Sequence, residues 1–340
     1  MEVQMIIGVV NNKGGVLKTT LSTNLGACLS LDSKKTIIVD LDGQGNVIAT
    51  FGKNPFNLEY TVMDFLKGDC TLDKAIVRER PPYLDILPGN DDLNFFDMYM
   101  SNGEVSQSGL RKLLQKLDEI YDYVIVDTPP NMSTVVATVL STVNLAIIPF
   151  EPDQYATLGL RRIVNASKEF IARNNPNMKV IAIPTKVNTR VTIHNDIINE
   201  SIRPKLTSEG VYVTKNFISQ STKSTAAVGY ERVPILFSVI KSKYQDEYIE
   251  LKNEIIDYIK NNILSNNNTT NSINNNNFLN NINQSPINNT NSNINPNKQE
   301  PQVLHTTVQD NNNNELNKNS NEPILSFNYS IDDNKKEGDK

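Results

Sequence analysis

The chain has 340 residues, a formal charge of −5 at pH 7 and two Cys, and 38% of its residues are hydrophobic. This charge excludes a strongly basic nucleic-acid-binding protein as a description of the whole chain, but it leaves room for a local basic patch. Cys28 and Cys70 are far apart and form no CxxC pair, which argues against a zinc or iron–sulfur site.

Short apolar runs alternate with segments of helical spacing along the first 264 residues. The runs predict buried strands at residues 5–10, 36–39, 84–87, 123–126, 145–149 and 180–184. Leu residues at helical spacing predict helices at residues 18–30 and 106–117. Strands that alternate with helices predict an α/β fold, with a mostly parallel twisted sheet and helices on both faces. Ligands of such sheets bind at the carboxyl ends of the strands.

A last helix is predicted at residues 244–264, where apolar residues recur at intervals of three or four. A helix of this kind either lies on a membrane surface or docks onto the body of its own protein. The polar face carries five acidic residues, Asp246, Glu247, Glu250, Glu254 and Asp257. Anionic lipid would need the opposite charge, so we expect docking. No apolar run is long enough for stable membrane insertion.

Residues 11–20 follow the first predicted strand and read Asn-Asn-Lys-Gly-Gly-Val-Leu-Lys-Thr-Thr. Gly14 and Gly15 allow the backbone to wrap a phosphate, and the helix that follows adds its positive end. In a phosphate loop of this kind, Lys18 reaches the β- and γ-phosphates and Thr19 offers its hydroxyl to Mg²⁺. The alternative, a glycine-rich turn before a helix, does not explain the Lys-Thr-Thr sequence.

Acidic residues follow two further strands. Asp40 and Asp42 come after the second strand, and Asp127 comes after the strand at residues 123–126. Beside a phosphate loop, one such carboxylate can hold the water shell of Mg²⁺ and another can orient an attacking water. The alternative for Asp40 and Asp42 is a turn rich in solvated charges.

Together these residues resemble the deviant Walker A box, switch I and Walker B motifs of the ParA/MinD family of ATPases, closest to the short chromosomal, Soj-like type. The resemblance implies a P-loop ATPase that uses ATP and Mg²⁺. It implies catalytic roles for Lys13, Lys18 and Asp42, with Lys13 reaching the phosphates of a partner in an ATP-bound homodimer. It assigns Mg²⁺ to Thr19, Asp40 and Asp127. It assigns the phosphates to Lys13, Gly14, Gly15, Val16, Leu17, Lys18, Thr19 and Thr20.

Two positions within these motifs depart from the family pattern. Leu17 stands where members of the family have Gly, and a Leu adopts a positive φ only at a cost. Either the loop accommodates Leu17 or nucleotide binding and hydrolysis are weakened. Gly43 replaces a Pro in the switch I motif, which should loosen that turn.

The second half of the chain carries weaker matches. By resemblance, Asn188 and Asn216 are candidates for contacts to the adenine base, although Asn188 is equally suited to capping its own loop. Thr214 replaces a Pro of the family beside Asn216, which weakens that second match. Arg190, Lys215 and Lys223 are candidates for non-specific DNA contacts, and Arg232 is a further basic candidate. Ile218 occupies a place that is often basic in the family.

The resemblance implies an ATPase that partitions a plasmid or chromosome. Its ATP-bound dimer would coat the nucleoid in the cytoplasm, and a ParB-like centromere-binding protein would trigger hydrolysis and release. A MinD-like or other positioning ATPase is a second hypothesis. A third is a nucleotide-binding scaffold in which Leu17 impairs hydrolysis.

The end of the chain has a different composition. Of the 76 residues from 265 to 340, 26 are Asn, and aromatic residues are few. Such a segment buries too little apolar surface to offset the entropy of ordering. We therefore predict an ATPase domain at residues 1–264 and a disordered, Asn-rich tail at residues 265–340.

Overall fold

The computed structural model describes residues 4–80, 83–153, 156–190 and 192–264. The predicted tail at residues 265–340 lies outside the described residues. All described residues belong to the first of two units into which contacts divide the chain, Met1–Gln284.

One sheet of eight strands organises the described residues. Its strands are β1 (Met5–Val9), β2 (Thr36–Asp40), β3 (Val77–Arg80), β4 (Leu84–Leu87), β5 (Tyr123–Asp127), β6 (Leu145–Phe150), β7 (Lys179–Pro184) and β8 (Tyr212–Val213). They lie in the order β3-β4-β2-β5-β1-β6-β7-β8. Only β3, at one edge, is antiparallel to its neighbour among these strands. The predicted α/β fold with a mostly parallel sheet is therefore confirmed.

Helices connect the strands and cover the sheet. They are α1 (Lys18–Leu31), α2 (Asn46–Thr50), α3 (Val62–Lys67), α4 (Leu72–Ala75), α5 (Phe96–Ser101), α6 (Gln107–Asp118), α7 (Thr134–Leu140), α8 (Ala156–Arg173), α9 (Thr192–Asp196), α10 (Arg203–Ser208), α11 (Thr222–Ala226) and α12 (Lys243–Ile259). A wider helical turn, Ile197–Ile202, joins α9 to α10. In the part of the chain that is described, no helix is long and apolar enough to cross a membrane.

Two hydrophobic cores lie on opposite faces of the sheet. Successive side chains of a strand point to opposite faces, so Ile6 of β1 joins one core and Ile7 joins the other. The first core includes Leu residues of α6 and the second includes residues of α1 and α12. Because both faces of the central strands are buried, these strands are continuous apolar runs in the sequence.

The predicted elements agree with the structure to within about two residues at most ends, as is usual for such boundaries. Two short edge strands, β3 and β8, were not predicted. The sequence of β3 is Val-Arg-Glu-Arg and its residues are not buried, so it lacks the apolar run that identifies the central strands.

The prediction that the last helix docks onto the protein body is confirmed. Tyr248, Leu251, Ile255 and Ile259 of α12 are buried in the second core, next to α1. The Lys252 ammonium also reaches the Asp32 carboxylate at 2.6 Å. The regular helix ends at Ile259, and the predicted extension to residue 264 forms a wider turn, Lys260–Leu264.

Candidate functional site

The three polar strand ends of the sequence meet at one place in the sheet. β2, β5 and β1 are neighbours, and Asp40 and Asp127 are aligned partners at the ends of β2 and β5. The loop that follows β1 leads into α1 beside them. Parallel register therefore brings together the glycine-rich loop and the two acidic turns, which are far apart in the sequence.

The glycine-rich loop is fixed to its surroundings by hydrogen bonds at both ends. The Asn11 side-chain amide donates to the Pro149 carbonyl at 2.6 Å, and the Asn11 Oδ1 accepts from the Lys13 backbone N–H at 2.9 Å. The Thr185 hydroxyl donates to the Val16 carbonyl at 3.1 Å. The end of strand β6 and the first residue after β7 thus hold the shape of this loop.

Two residues of the loop have left-handed backbone conformations, Gly15 with φ 75° and Leu17 with φ 66°. The first needs no explanation, because glycine adopts such angles without steric cost. Leu17 is the residue before α1, with ψ 32°, and its carbonyl accepts the first helical bond from Leu21 N–H at 2.9 Å. The sequence-based concern that this position requires a positive φ is therefore confirmed.

Lys18 is the first residue of α1 and is buried. Burial lowers the pKa of its ammonium, while the charges of Asp127 and Asp42 act in the opposite direction. A buried cation is stabilised by an anion that approaches it. The chemistry of this position therefore fits a phosphate group bound in the loop.

The Asp127 carboxylate accepts hydrogen bonds from two hydroxyls of α1. Thr19 donates to one oxygen at 2.6 Å, and Ser22 donates to the other at 2.8 Å. Burial raises the pKa of Asp127, although both hydroxyls favour the ionised form. Two of the three predicted metal residues are thus in direct contact.

Asp40 is fully buried and also close to Asp127. Its oxygens accept from the backbone N–H groups of Asp42 and Val47, each at 3.0 Å. Burial raises the pKa of Asp40 well above its ordinary value, and the charge of Asp127 raises it further. Asp42 follows two residues later, and its Oδ1 accepts from the Gln44 N–H at 3.0 Å.

Within the described residues, no group of three acidic, His or Cys side chains is arranged to hold a metal ion by itself. The donors that are present are the Thr19 hydroxyl and the carboxylates of Asp40 and Asp127. Mg²⁺ is commonly held by one or two carboxylates together with substrate phosphates and water. The donor set therefore fits Mg²⁺ bound with a nucleotide and does not fit a cage made only by protein.

Gly43 has a more specific role than the looser turn expected from the sequence. A Cβ atom at this position would lie 2.5 Å from the Asn94 Oδ1, which is closer than real contacts allow. Gly43 therefore leaves room for the Asn94 side chain between the end of β2 and the segment before α5. A residue other than glycine would displace that side chain.

Lys13 is half-exposed at the start of the loop. Its ammonium forms an ion pair with Asp153 at 2.5 Å. Asp153 belongs to the predicted segment at residues 149–156, of which Gln154 and Tyr155 lie outside the described residues. The pair is at the surface, where its two partners can separate at little cost.

A cavity of about 910 Å³ lies between the glycine-rich loop and the residues that follow β7. Leu17 and Thr20 line one side, and the residues that follow β7, from Lys186 to Arg190, line another. Lys186 has φ 53°, and its ammonium lies 3.5 Å from the Glu151 carboxylate. Volumes of this size are typical of small-molecule sites.

The two predicted base contacts differ in position. Asn188 lines this cavity, but its Oδ1 accepts from the Arg190 N–H at 3.1 Å, as a loop-capping Asn does. Asn216 lines a different cavity, next to α12, and its side-chain amide donates to Glu254 at 2.8 Å. The structure therefore brings Asn188 to the phosphate loop and places Asn216 elsewhere.

The predicted DNA residues Arg190, Lys215 and Lys223 are all exposed. Arg190 lines the cavity at the loop, whereas Lys215 lines the cavity of Asn216. Ile218 is buried in the second core, so this position is part of the interior and not of a basic surface. Arg232 lies against Gly52 at the end of α2.

Sequence reasoning missed several residues that shape the site. Ser22 holds Asp127, and it lies three residues after Thr19, on the same face of α1. Glu254 of α12 accepts from Tyr212 Oη, from the Lys215 N–H and from both nitrogens of Asn216. Glu247 accepts from the backbone and hydroxyl of Ser219. The acidic face of α12 thus holds the loop that follows β8.

Comparisons with known proteins agree with this site. A family model described as an AAA domain matches residues 4–180. A ParA family protein of Mycoplasma genitalium is 44% identical over 276 residues, covering 76% of this chain and 100% of that protein. The chromosome partitioning protein ParA of Myxococcus xanthus is 28% identical over 252 residues, covering 74% of this chain and 87% of that protein.

A solved structure shares the fold. It is cobyrinic acid a,c-diamide synthase from Mycobacterium smegmatis with a bound ATP analogue and magnesium. Its TM-score is 0.65 at 26% identity, and the match covers 76% of this chain and 96% of that chain.

Proposed function

The chain belongs to the ParA family of ATPases, and from this premise we propose that it hydrolyses ATP to ADP and phosphate with Mg²⁺. The observation that carries the proposal is the cluster at the ends of β1, β2 and β5. A buried Lys18, the hydroxyl-bonded carboxylate of Asp127 and the glycine-rich loop converge there. The M. smegmatis structure, which holds an ATP analogue and magnesium, supports the same ligand class.

We propose the following roles for the residues of this site. Backbone N–H groups of the loop and the Lys18 ammonium bind the phosphates. Mg²⁺, when bound, neutralises phosphate charge, and Thr19, Asp40 and Asp127 are the residues that would hold it or its water shell. Asp42 orients the attacking water.

Lys13 has a separate role in this proposal. In a homodimer it leaves its ion pair with Asp153 and reaches the phosphates bound to the partner subunit. The surface position of that ion pair supports this role, because a surface pair is broken at little cost.

The test is ATP turnover by the full chain in the presence of Mg²⁺. Asp42→Ala removes the proposed water-orienting carboxylate, and we expect turnover to fall about 100-fold or more. Asp69→Ala removes an exposed acid in the turn after α3 and is the matched control. Equal turnover by the Asp42 variant and the unchanged chain would contradict this role.

For the cellular role we propose partition of a plasmid or chromosome. The M. xanthus relative is a chromosome partitioning protein, which supports this class. In this proposal ATP closes a cytoplasmic homodimer that binds DNA non-specifically and associates with the nucleoid. A ParB-like partner then stimulates hydrolysis and releases the dimer. Arg190, Lys215 and Lys223 are the proposed DNA contacts, and each is exposed.

DNA binding with and without ATP tests this role. We expect the full chain to bind duplex DNA only with ATP. The slope of the logarithm of the binding constant against the logarithm of the salt concentration should become shallower by about one for each phosphate contact that is removed. Arg190→Ala and Lys215→Ala should weaken binding, whereas Lys34→Ala should not. Lys34 is exposed just before β2, at the amino end of that strand, whereas the site lies at the carboxyl ends. Binding that is insensitive to ATP would contradict partition.

A second candidate function is favoured by the backbone of Leu17. Non-glycine residues with left-handed angles store strain, and such strain at a phosphate loop can impair hydrolysis. The chain would then bind nucleotide as a scaffold without turning it over. The turnover measurement separates the two functions, since a scaffold would bind ATP and show no activity that depends on Asp42.

The division of the chain at residue 264 is also a proposal. The family model matches residues 4–180, and 76% of this chain matches 100% of the M. genitalium relative, which supports an ATPase that does not need the whole chain. We propose that residues 265–340 are an appendage that ATP hydrolysis does not require. Deletion of these residues should leave turnover within about twofold of the full chain, and a complete loss would contradict the proposed boundary.

A further inference from the structure

The side chain of Leu17 lies in the wall of the cavity beside the phosphate loop. Leu17 is the residue before α1, and it lines this cavity together with Ile218 and Tyr248. All three belong to the second core or pack against it, so this wall is apolar. Other residues that line the cavity are polar, among them Lys186 and Asn188.

Leu17 has a left-handed backbone conformation, which glycine would adopt at lower cost. In the left-handed region the Cβ atom of an L-residue crowds the following carbonyl, at a cost that glycine avoids. Leu17 nevertheless packs against the second core. An outlier of this kind at a ligand site supports a hypothesis of function.

We propose that Leu17 binds the nucleoside part of the nucleotide. Its side chain contacts the base or ribose, so that the phosphate loop recognises the nucleoside as well as the phosphates. This inference rests on the proposed function, since it assigns a contact in the same site. The ligand class is a nucleoside triphosphate whose base lies between the apolar wall of Leu17 and the polar wall of Asn188. The side chain offsets part of the backbone strain through that contact.

Two variants separate the side chain from the backbone strain. Leu17→Ala removes most of the side chain but keeps a Cβ atom in the left-handed conformation. Leu17→Gly removes the side chain and the strain together. Leu31→Ala is the matched control, because Leu31 is the last residue of the same helix and is exposed.

The experiment measures the dissociation constants of ATP and of inorganic tripolyphosphate, both with Mg²⁺, for the full chain and each variant. The affinity for ATP divided by the affinity for tripolyphosphate reports the nucleoside contact, because strain in the loop affects both ligands alike. We expect this ratio to fall about fivefold to tenfold in Leu17→Ala and in Leu17→Gly, and to stay unchanged in Leu31→Ala. Leu17→Gly should have the higher melting temperature of the two variants, because it also removes the strained backbone conformation.

Two outcomes would overturn the proposal, and they differ in what else they overturn. If the unchanged chain binds ATP and the ratio is the same in both Leu17 variants as in the unchanged chain, this inference alone is wrong. If the unchanged chain binds neither ATP nor tripolyphosphate, the proposed ATPase function is wrong as well. Melting temperatures of the variants show whether each is folded, and Leu17→Gly is the variant expected to retain the fold most readily.

Discussion

The two halves of the candidate site use their polar side chains differently. At the ends of β1, β2 and β5, the motif residues face one another, and Lys18 and Asp127 are buried together. At the ends of β7 and β8, the polar residues bond mainly to their own surroundings. Asn188 caps its loop and Asn216 donates to Glu254. Burial of charge therefore distinguishes the half that we propose binds the phosphates from the half in which hydrogen bonds within the protein hold the loops.

This difference explains why one half requires a ligand more than the other does. Buried charges that are incompletely compensated raise the free energy of the folded state, and an anionic ligand relieves this. The loop after β8 has its hydrogen bonds satisfied by Glu254 and Glu247 without any ligand. Variants in the first half should therefore change ATP turnover, and variants of the acidic residues of α12 that hold the loop after β8 should change mainly stability.

The largest effect is expected at Lys18. Lys18→Met keeps a long side chain and removes the charge, so it removes the proposed electrostatic contact to the phosphates. We expect ATP turnover to fall about 100-fold to 1,000-fold. Lys34→Met, at the amino end of β2 and away from the site, should leave turnover unchanged. Retention of activity in the Lys18 variant would show that the buried cation has only a structural role.

A second effect concerns the raised pKa of Asp127. A carboxyl group whose pKa is higher in the folded protein binds more protons there than in the unfolded chain. Rising pH between the two pKa values therefore lowers the free energy of unfolding. Asp127→Asn removes this titration, and the hydroxyls of Thr19 and Ser22 can donate or accept toward the amide.

We expect Asp127→Asn to be more stable than the unchanged chain at pH 7 by about 2 kcal/mol, and inactive. The difference should shrink toward pH 4, where the unfolded chain also binds the proton. Denaturant unfolding of both proteins between pH 4 and pH 8 measures it. A difference that grows toward low pH would mean that the pKa of Asp127 is lowered in the folded state.

The sequence predicts the residues at the strand ends, but it does not predict residues that are positioned by contacts distant in the chain. Asp40 and Asp127 are predicted because each ends an apolar run, and neighbouring parallel strands align their ends. Ser22 is not predicted, because a serine within a helix carries no pattern of its own. Asn216 resembles a family motif locally, but a carboxylate 38 residues later in the chain, Glu254, determines where its amide points.

Ser22 provides a smaller effect on the same carboxylate. Ser22→Ala removes one of the two hydroxyls that stabilise ionised Asp127. A hydrogen bond to a charged group contributes about 1.5 kcal/mol or more, so we expect a loss of unfolding free energy of about that size at pH 8. Ser30→Ala is the control on the same helix, because the Ser30 hydroxyl donates to the neutral Ala27 carbonyl. Equal losses in the two variants would contradict a special role for the bond to Asp127.

The smallest effect should come from Glu254, in the second half of the site. Glu254→Gln keeps the size of the side chain but leaves one oxygen acceptor in place of two, so about half of the four hydrogen bonds are lost. We expect the free energy of unfolding to fall by about 1 kcal/mol and ATP turnover to change less than about twofold. Glu250→Gln, on the exposed face of α12, should change neither. If Glu254→Gln instead reduced turnover as strongly as Lys18→Met, the loop after β8 would be part of the catalytic site. The contrast between the two halves would then fail.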